Sequence, residues 1–505
     1  MRHIHRLCWS VVAATAAVVC LWACCQAYAR GATRADSVPV HGFVADAKFM
    51  ALRDAFRSTL MNHEGTGTKP RGSGGGGASF AVYHRGRLVV DVWGGEAESP
   101  APLAPCTMGA VSRAPLDAHW VSEAPQRCRA GGNRQSAGTT SEWQATTASY
   151  MFSGTKGLAA VAIAVLVDQG HLRYSDPVAK YWPDFGRAGK RNVTVGMVLA
   201  HSAGLSALDR YQRQSPLQWA TDSGEHMARM HPVWEPGAQV GYAPWAVGTV
   251  VAELVPRVDP QHRPVDVFFR EEVAQRLGVA DQLALGRLQP AAGMQVAKFR
   301  FAGLSTWLPA PWRIPHAVTH ATIPSSLSWR AFANPRGNPL HFNSPRWQGA
   351  MLPNTNGFGT ARAVAKVYAA MVQSVVDDPS TRGDVTPLVS EATVRRAGLS
   401  TSIAGPDQVM MVDTAFGMGF VRCSEYFPMD MTPARRRSGT TWLDDGCQGV
   451  FGHPGFGGAV AWADARTGLA VAYLPSVLDP AASARSVRFA TLRGAFEKIV
   501  ENHLQ

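Results

Sequence analysis

Several signatures that would define a particular chemistry are missing from this chain. The sixteen histidines include no H-E-x-x-H motif and no paired spacing, and no cysteines are spaced like a metal site. The glycine run Gly74 to Gly77 lacks the G-K-S/T ending of a phosphate-binding loop. After residue 29, no stretch has the length of a membrane-spanning helix. We therefore expect no metal and no cofactor, and we interpret the glycine run as a linker.

Charged residues are also few, and the basic ones do not form the pattern of a nucleic-acid-binding surface. Only 17% of the 505 residues are charged, and the net charge of +12 comes mostly from arginine. The basic segments "RYQRQ" and "ARRR" are short and isolated, without the interleaved aromatic residues of a nucleic-acid surface. With 46% hydrophobic residues, the composition is that of a globular protein with one large domain or two ordinary ones. The sequence predicts no nucleic-acid partner.

The N-terminus resembles a targeting segment. A basic start, "MRHIHR", precedes the mostly apolar run "LCWSVVAATAAVVCLWACC", and Ala27 to Ala29 have the small-x-small form of a cleavage site. We predict that residues 1–29 are a signal peptide, with a signal anchor as the alternative because the apolar run is long. Either interpretation places the protein in the secretory pathway, secreted or attached to a membrane by this segment.

Cysteine usage fits an oxidising compartment. Four of the eight cysteines lie in the leader, which leaves an even number in the rest of the chain: Cys106, Cys128, Cys423 and Cys447. Local spacing favours disulfides Cys106–Cys128 and Cys423–Cys447, although four cysteines allow three pairings.

The first hundred residues divide into a helix, a linker and a hairpin. Residues 30–48 look irregular, and "AKFMALRDAFRSTL" has the spacing of an amphipathic helix, so residues 30–77 are predicted as an N-terminal helix and a Gly-rich linker. "SFAVYHRGRLVVDVWGG" predicts a β-hairpin with Gly86 in its turn. Residues 97–148 have no sustained period and are predicted to be an inserted surface loop within a domain spanning 78–505.

The rest of the chain is helical first and strand-rich last. Helices are predicted in "TVGMVLAHSAGL", with Thr194 as N-cap, in "TARAVAKVYAAMVQSVV" and at the C-terminus, while strands with Gly-rich turns begin near residue 413. This order predicts an α/β (α+β) fold. One antiparallel sheet would combine N- and C-terminal strands, with helices flanking it and a large, mainly helical subdomain inserted.

The segment "MFSGTKGLAAVAIAVLVDQGHL" carries the main chemical signal. Residues three apart lie on one face of a helix, so Lys156 can reach the hydroxyl of Ser153. A serine becomes a nucleophile when a base takes its proton, and a desolvated lysine is such a base. The simpler interpretation is that Ser153 is the N-cap of a buried helix. The four-residue motif alone does not decide between them.

The sequence around this motif closely resembles the serine β-lactamase-related family, which includes class C β-lactamases, D,D-peptidases and carboxylesterases of the same fold. Its S-x-x-K opens a helix, followed by "D-x-G-x-L…D-x-x-V…Y-x-P" and "T-x-x-x-L-L-x-H-x-x-G-L". The matching residues here are Asp168, Gly170, Leu172, Asp176, Val178, Tyr181, Pro183, Thr194, His201, Gly204 and Leu205. We expect His201 itself to end a helix or to hydrogen-bond the backbone.

The resemblance implies two further site elements. The family's Y-x-N motif corresponds to Tyr242-Ala243-Pro244 in "WEPGAQVGYAPWAVG", where the amide residue is missing. Its K-T-G or H-x-G motif corresponds to His453-Pro454-Gly455. Ser153 would be the nucleophile, Lys156 and Tyr242 would handle the proton, and His453 would orient substrate or Tyr242.

The resemblance also implies an oxyanion hole and a reaction class. The backbone N–H groups of Ser153 and Phe456 would bind the oxyanion, and Gly455 and Gly457 would line the substrate site. The implied function is a carboxylesterase-like serine hydrolase acting through an acyl-enzyme on small esters, amides or peptides. Two alternatives remain: D,D-peptidase or β-lactamase activity, and a non-catalytic scaffold or binding protein. The oligomeric state stays open.

Overall fold

The computed structural model describes residues 38–61, 76–98, 140–208, 216–288, 294–301, 323, 326–334, 342–376, 383–424, 449–478 and 487–504. The leader, the Gly-rich connector, most of the 97–148 insertion and three of the four cysteines beyond the leader lie outside these residues. The signal peptide and both disulfides therefore stay predictions, as do the predicted domain boundaries.

One large antiparallel sheet organises the chain, in the order β1-β3-β2-β14-β13-β12-β11-β10-β9 with β4 paired to the end of β3. Strand β2 pairs with β14 from His84 opposite Leu469 to Ala78 opposite Pro475, so strands from the two ends of the chain meet in mid-sheet, as predicted. Smaller sheets join β5, β8 and β6, and β15 with β7. The strands are β1 Val40–Val44, β2 Gly77–His84, β3 Arg87–Glu98, β4 Thr140–Glu142, β5 Ser149–Tyr150, β6 Leu283–Leu285, β7 Arg300–Phe301, β8 Gly357–Gly359, β9 Ile403–Pro406, β10 Asp413–Phe416, β11 Val421–Ser424, β12 Val450–Pro454, β13 Val460–Asp464, β14 Leu469–Pro475 and β15 Val477–Leu478.

Helices cover both faces of the sheet and fill the region between its two halves. The predicted helices all form where the structure describes them, and the side chain of Thr194 accepts the N–H of Met197, as an N-cap should. None of the helices in the described ranges is long and apolar enough to cross a membrane. They are α1 Met50–Met61, α2 Thr155–Asp168, α3 Val195–Leu199, α4 Pro216–Arg229, α5 Ala246–Val258, α6 Val265–Phe269, α7 Leu327–Phe332, α8 Pro345–Gln348, α9 Ala361–Val372, α10 Glu391–Val394 and α11 Val487–His503.

The two faces of the sheet carry different side chains because successive residues of a strand point to opposite sides. Large residues of the central strands pack against α1 and α11: Phe80, Val82, Trp462, Val471 and Tyr473. Small residues alternate with them on the other face, where α9 packs against β2, β13 and β14: Ala81, Ala461, Ala463, Ala470 and Ala472. The alanine face lets α9 lie close to these strands. Helix α2, which starts at the candidate nucleophile, lies against β12.

Helix α2 is a central core helix. Its residues from Thr155 to Leu166 are all buried, including Lys156. A helix that is apolar on every side belongs inside a protein, where packing rather than solvent contact stabilises it. The lysine is thus carried into the core by the helix that contains it.

Two features of the N-terminal half differ from the sequence prediction or refine it. The prediction of irregular structure for residues 30–48 was wrong at Val40–Val44, which forms strand β1 and pairs with Val90 to Gly94 of β3. That strand depends on a distant partner, which local periodicity does not report. The predicted 97–148 insertion leaves the large sheet and rejoins it at the same place, because Glu98 pairs with Thr140 and Glu96 with Glu142.

Gly157 allows a close contact between α2, α9 and β12. A Cβ atom at this position would lie 2.2 Å from the hydroxyl oxygen of Tyr368 and 3.2 Å from Cβ of His453. Both neighbours are fully buried or nearly so, which leaves them little room to move.

We expect Gly157→Ala to lower the free energy of unfolding by about 1–3 kcal/mol, because the added methyl overpacks the helix against its neighbours. Gly494→Ala in α11 is the matched control, since a Cβ atom there would have nothing within 4 Å. Alanine there should raise stability by about 0.5–1 kcal/mol through helix propensity. Denaturant unfolding of both variants measures the difference, and equal effects would contradict this description of the contact.

Candidate active site

Ser153 lies in a single turn of 3-10 helix, Phe152–Gly154, between β5 and α2. The N-cap position of α2 is Gly154, which makes no side-chain capping bond, so Ser153 does not cap the helix. Its side chain is half-buried, and its hydroxyl is hydrogen-bonded to Lys156 and Tyr242. The capping hypothesis is therefore not supported, and the hydroxyl is directed towards two proton-handling groups.

The residue before the candidate nucleophile has a strained backbone. Phe152 has a φ of 47°, in the left-handed region that a residue with a Cβ rarely adopts. Its ring packs against four other rings, with centroid distances of 5.8 Å to Tyr150, 5.2 Å to Phe299, 6.1 Å to Phe342 and 6.0 Å to Phe456. Such strain costs about 1–3 kcal/mol and persists where packing fixes it, which is common at active sites.

Lys156 is fully buried and close to the serine. Its Nζ donates to Oγ of Ser153 at 3.2 Å and to the backbone oxygen of Asn354 at 3.0 Å. Burial removes the ammonium from water and lowers the pKa of Lys156 to about 7. A large fraction of this lysine is therefore an uncharged amine at neutral pH, which is the form that accepts a proton.

Tyr242 completes the set of groups at Ser153. A hydrogen bond joins the two hydroxyls, and the ring centroid of Tyr242 lies 5.2 Å from Nζ of Lys156. Burial raises the pKa of Tyr242 above its usual value of 10, so the phenol stays protonated at neutral pH. At neutral pH, Lys156 is therefore able to accept a proton, and Tyr242 is able to donate one.

His453 lies near the end of β12, where its Cβ faces Gly157 of α2. Its ring is 6.3 Å from that of Tyr242, and Nδ1 is 2.7 Å from the backbone oxygen of Pro454, which requires the proton on Nδ1. Nε2 is buried and accepts no hydrogen bond from the described residues. Burial, followed by the charge of Lys156, lowers the pKa of His453 to about 3. His453 is thus a neutral acceptor and cannot replace the cation of a K-T-G motif.

The segment after His453 lies against the serine turn. A Cβ atom on Gly455 would be 2.0 Å from the backbone oxygen of Met151, so only glycine permits this approach. Phe456 follows directly, and its ring lies 6.0 Å from that of Phe152 between centroids. Gly457 is buried, and a Cβ there would meet the side chain of Leu478 at 2.4 Å, so its packing is against β15.

Three residues around Tyr242 and Lys156 were missed as site residues or given only a structural role. The carboxylate of Asp407, which is buried, accepts the backbone N–H of Tyr242 at 3.0 Å and those of Val409 and Met410 at 2.8 Å. This carboxylate fixes the backbone of the tyrosine from a segment 165 residues away.

His201 and Asn354 support the same groups. Nδ1 of His201 accepts the N–H of Ala243 at 2.9 Å, and its ring lies 4.8 Å from that of Tyr242. The backbone bond expected of His201 is confirmed. The side chain of Asn354 accepts the N–H of Gly248 at 2.6 Å. This bond anchors the loop in which the backbone oxygen of Asn354 accepts a hydrogen bond from Lys156.

The arrangement is suited to acyl transfer. It combines a half-buried hydroxyl, a buried uncharged amine 3.2 Å away and a protonated phenol on the other side of the hydroxyl. No group of three or more His, Cys, Asp or Glu side chains within the described ranges is placed to hold a metal ion. The described side chains support nucleophilic and general acid–base chemistry.

This fold and these groups define a serine hydrolase of the β-lactamase and esterase type. A sequence model of the Beta-lactamase family matches residues 67–495. The chain therefore belongs to the β-lactamase family.

Individual relatives agree with this assignment. The chain is 28% identical over 436 residues to a protein of Mycobacterium tuberculosis named esterase/beta-lactamase LipL, with 85% of this chain and 81% of the relative aligned. A penicillin-binding protein homologue from Caulobacter crescentus has a similar structure, with a TM-score of 0.64 and 26% identity over 91% of this chain and all of the other. A family VIII carboxylesterase shares the fold, with a TM-score of 0.63 and 23% identity over 92% of this chain and all of the other.

The pKa of Lys156 predicts the acid limb of the pH profile. Lys156 accepts a proton only when uncharged, so kcat/KM should rise about tenfold per pH unit up to about 7 and then level off. His453 and His201 stay neutral over this range because burial lowers the pKa of each. The measurement is kcat/KM for an ester between pH 5 and 9.

Lys156→Arg is the control for this profile. Arginine keeps a hydrogen-bond donor but stays charged and cannot accept the serine proton, so activity should fall by at least about a hundredfold at pH 7 and above. A wild-type profile that is flat, or that rises only near pH 10, would contradict the assignment of Lys156 as the base.

Asp407→Asn tests the positioning of Tyr242. The amide places a donor against the N–H of Tyr242, so kcat should fall about tenfold while KM changes less. Asp464→Asn is the comparison, because Asp464 at the end of β13 is also buried and accepts the backbone N–H of Arg466, in addition to an ion pair with the guanidinium of that residue. Both variants should lose about 1–3 kcal/mol of stability. Equal kcat values in the two variants would show that Asp407 is only structural.

Proposed function

We propose that this protein is a carboxylesterase-like hydrolase in which Ser153 forms an acyl-enzyme. The observation that carries the proposal is the hydrogen bond between Ser153 and Lys156, whose pKa is lowered by burial alone. A buried lysine with a structural role can be held by backbone oxygens, as Lys190 is by those of Arg187, Ala228 and Met230. Lys156 instead has one backbone oxygen and the hydroxyl of Ser153, an arrangement suited to removing the proton of that hydroxyl.

The reaction proceeds in two halves. The amine of Lys156 removes the hydroxyl proton as Ser153 attacks the ester carbonyl, and the backbone N–H groups of Ser153 and Phe456 bind the oxyanion. Tyr242 gives its proton to the departing alkoxide and takes one back from the ammonium of Lys156, which leaves Lys156 uncharged again. A water molecule then loses a proton to Lys156 and attacks the carbonyl of the acyl-enzyme. As the ester bond to Ser153 breaks, Lys156 returns this proton to the serine oxygen, and the acid is released.

Two departures from the family motifs favour esters over β-lactams or peptides. The third position of the tyrosine motif is Pro244, which has no amide side chain to hydrogen-bond a substrate amide. His453 is neutral, with its N–H engaged by Pro454, so it offers no charge to a substrate carboxylate. The names of the relatives, which combine esterase and beta-lactamase, support the same reaction class.

Turnover of a chromogenic short-chain ester by the purified protein tests the proposal. Ser153→Ala should lose at least about a thousandfold in kcat, because no other hydroxyl is activated in its place. Ser58→Ala is the matched control, since Ser58 is exposed on α1, and its activity should equal that of the wild type.

Mass spectrometry after reaction with a fluorophosphonate locates the nucleophile independently of the substrate. The adduct should map to Ser153 and be absent from Ser153→Ala. Equal ester turnover in the wild type and Ser153→Ala, or a Ser153 that the fluorophosphonate leaves unmodified, would contradict the proposal and favour the non-catalytic scaffold.

A further inference from the structure

Exposed aromatic rings gather around the candidate site. Of the four exposed phenylalanines in the described ranges, three lie near the site: Phe301 at 40%, Phe332 at 41% and Phe456 at 42% of their surface in solvent. Each of them is linked by ring contacts to Ser153's neighbour Phe152 or to Tyr242. Scattered exposed apolar residues need no explanation, but a group around one reactive centre indicates a surface that a ligand covers.

Two of these rings form a wall on the serine side. Phe456 directly follows Gly455, and its ring meets that of Phe152 edge-on at 6.0 Å. Phe301, at the end of β7, lies 6.3 Å from Phe456 in a second edge contact. We call Phe301 and Phe456 the acyl wall, because the backbone N–H of Phe456 is the proposed partner of the substrate's carbonyl oxygen.

The third ring lies on the tyrosine side. Phe332, the last residue of α7, stacks on Tyr242 with ring centroids 6.1 Å apart and an angle of 24° between the planes. Tyr242 is the group that protonates the leaving alcohol in the proposed reaction. A group attached to the alcohol oxygen would therefore lie next to Phe332.

We propose that the site selects uncharged esters with bulky apolar groups on both sides of the scissile bond, with the acyl wall binding the acyl chain and Phe332 binding the alcohol. This inference rests on the proposed ester hydrolysis. A substrate group that covers an aromatic face removes apolar surface from water, which favours substrates long enough to reach the ring over short ones. The neutral His453 fits the same choice, since it contributes no charge for anionic substrates.

Two ester series separate the two walls. One varies the acyl chain from acetyl to hexanoyl on a fixed p-nitrophenol, and the other varies the alcohol from methanol to benzyl alcohol on a fixed butanoyl group. The wild type should prefer hexanoyl over acetyl and benzyl over methyl, each by about tenfold or more in kcat/KM. Using ratios within one variant removes any loss of activity common to both substrates.

Each substitution should affect one ratio. Phe456→Ala should reduce the hexanoyl-to-acetyl ratio by about tenfold and leave the benzyl-to-methyl ratio near its wild-type value, and Phe332→Ala should do the reverse. Phe456→Leu and Phe332→Leu keep an apolar side chain at each position and should give intermediate ratios. Phe43→Ala is the matched control, because Phe43 is 45% exposed on β1 at the far side of the sheet and should change neither ratio.

The outcomes distinguish this inference from the proposed function. A wild type that prefers acetyl over hexanoyl, or variants that keep both wild-type ratios, would overturn the two-wall inference while leaving ester hydrolysis intact. A wild type that hydrolyses none of these esters would overturn the proposed function and this inference with it.

Discussion

The burial of Lys156 is the constraint on which the rest of the site depends. Helix α2 is apolar on every side and carries the lysine into the core, where burial alone lowers its pKa to about 7. The fold tolerates this group because an uncharged amine with two hydrogen-bond acceptors is far less costly than an isolated ammonium. The neighbouring groups are kept uncharged by the same effect, since burial lowers the pKa of His453 and raises that of Tyr242.

The sheet and its loops supply the geometry that this chemistry needs. Small residues on one face of the sheet let α9 pack close to it, and Gly157 and Gly455 permit contacts that no larger residue would allow. Tyr242 comes from a separate segment and is fixed through its backbone by Asp407. Elements distant in sequence thus converge on one hydroxyl, and the strained turn at Phe152 is held in place by surrounding rings.

Much of this arrangement was predictable from the sequence, because its main signals are local. The contact between Ser153 and Lys156 follows from their spacing on a helix, and Tyr242 and His453 were expected from the resemblance to the serine β-lactamase-related family. The structure brings these four residues together, and the predicted α/β fold with a mixed N- and C-terminal sheet is confirmed. The sequence alone allowed Ser153 to be either a helix N-cap or a nucleophile. The structure does not support the N-cap role, because Gly154 occupies that position.

The remainder depends on long-range contacts that carry no local signal. Asp407 and Asn354 act on backbone groups of distant segments, and an acceptor for a backbone N–H needs no particular partner sequence. Strand β1 exists because the edge of β3 is available to it, so its own residues do not define it. The exposure of Phe332 and Phe456 beside the site is likewise a property of the folded surface.

Titration of Lys156 by NMR, with lysine carbons labelled at Cε, tests the central claim most directly. The chain has eight lysines, and the resonance that disappears in Lys156→Arg identifies this one. The account predicts that this resonance titrates with a midpoint near 7. A midpoint near the ordinary value of 10.5 would show that burial does not discharge the lysine, and it would contradict the assignment of Lys156 as the base that activates Ser153.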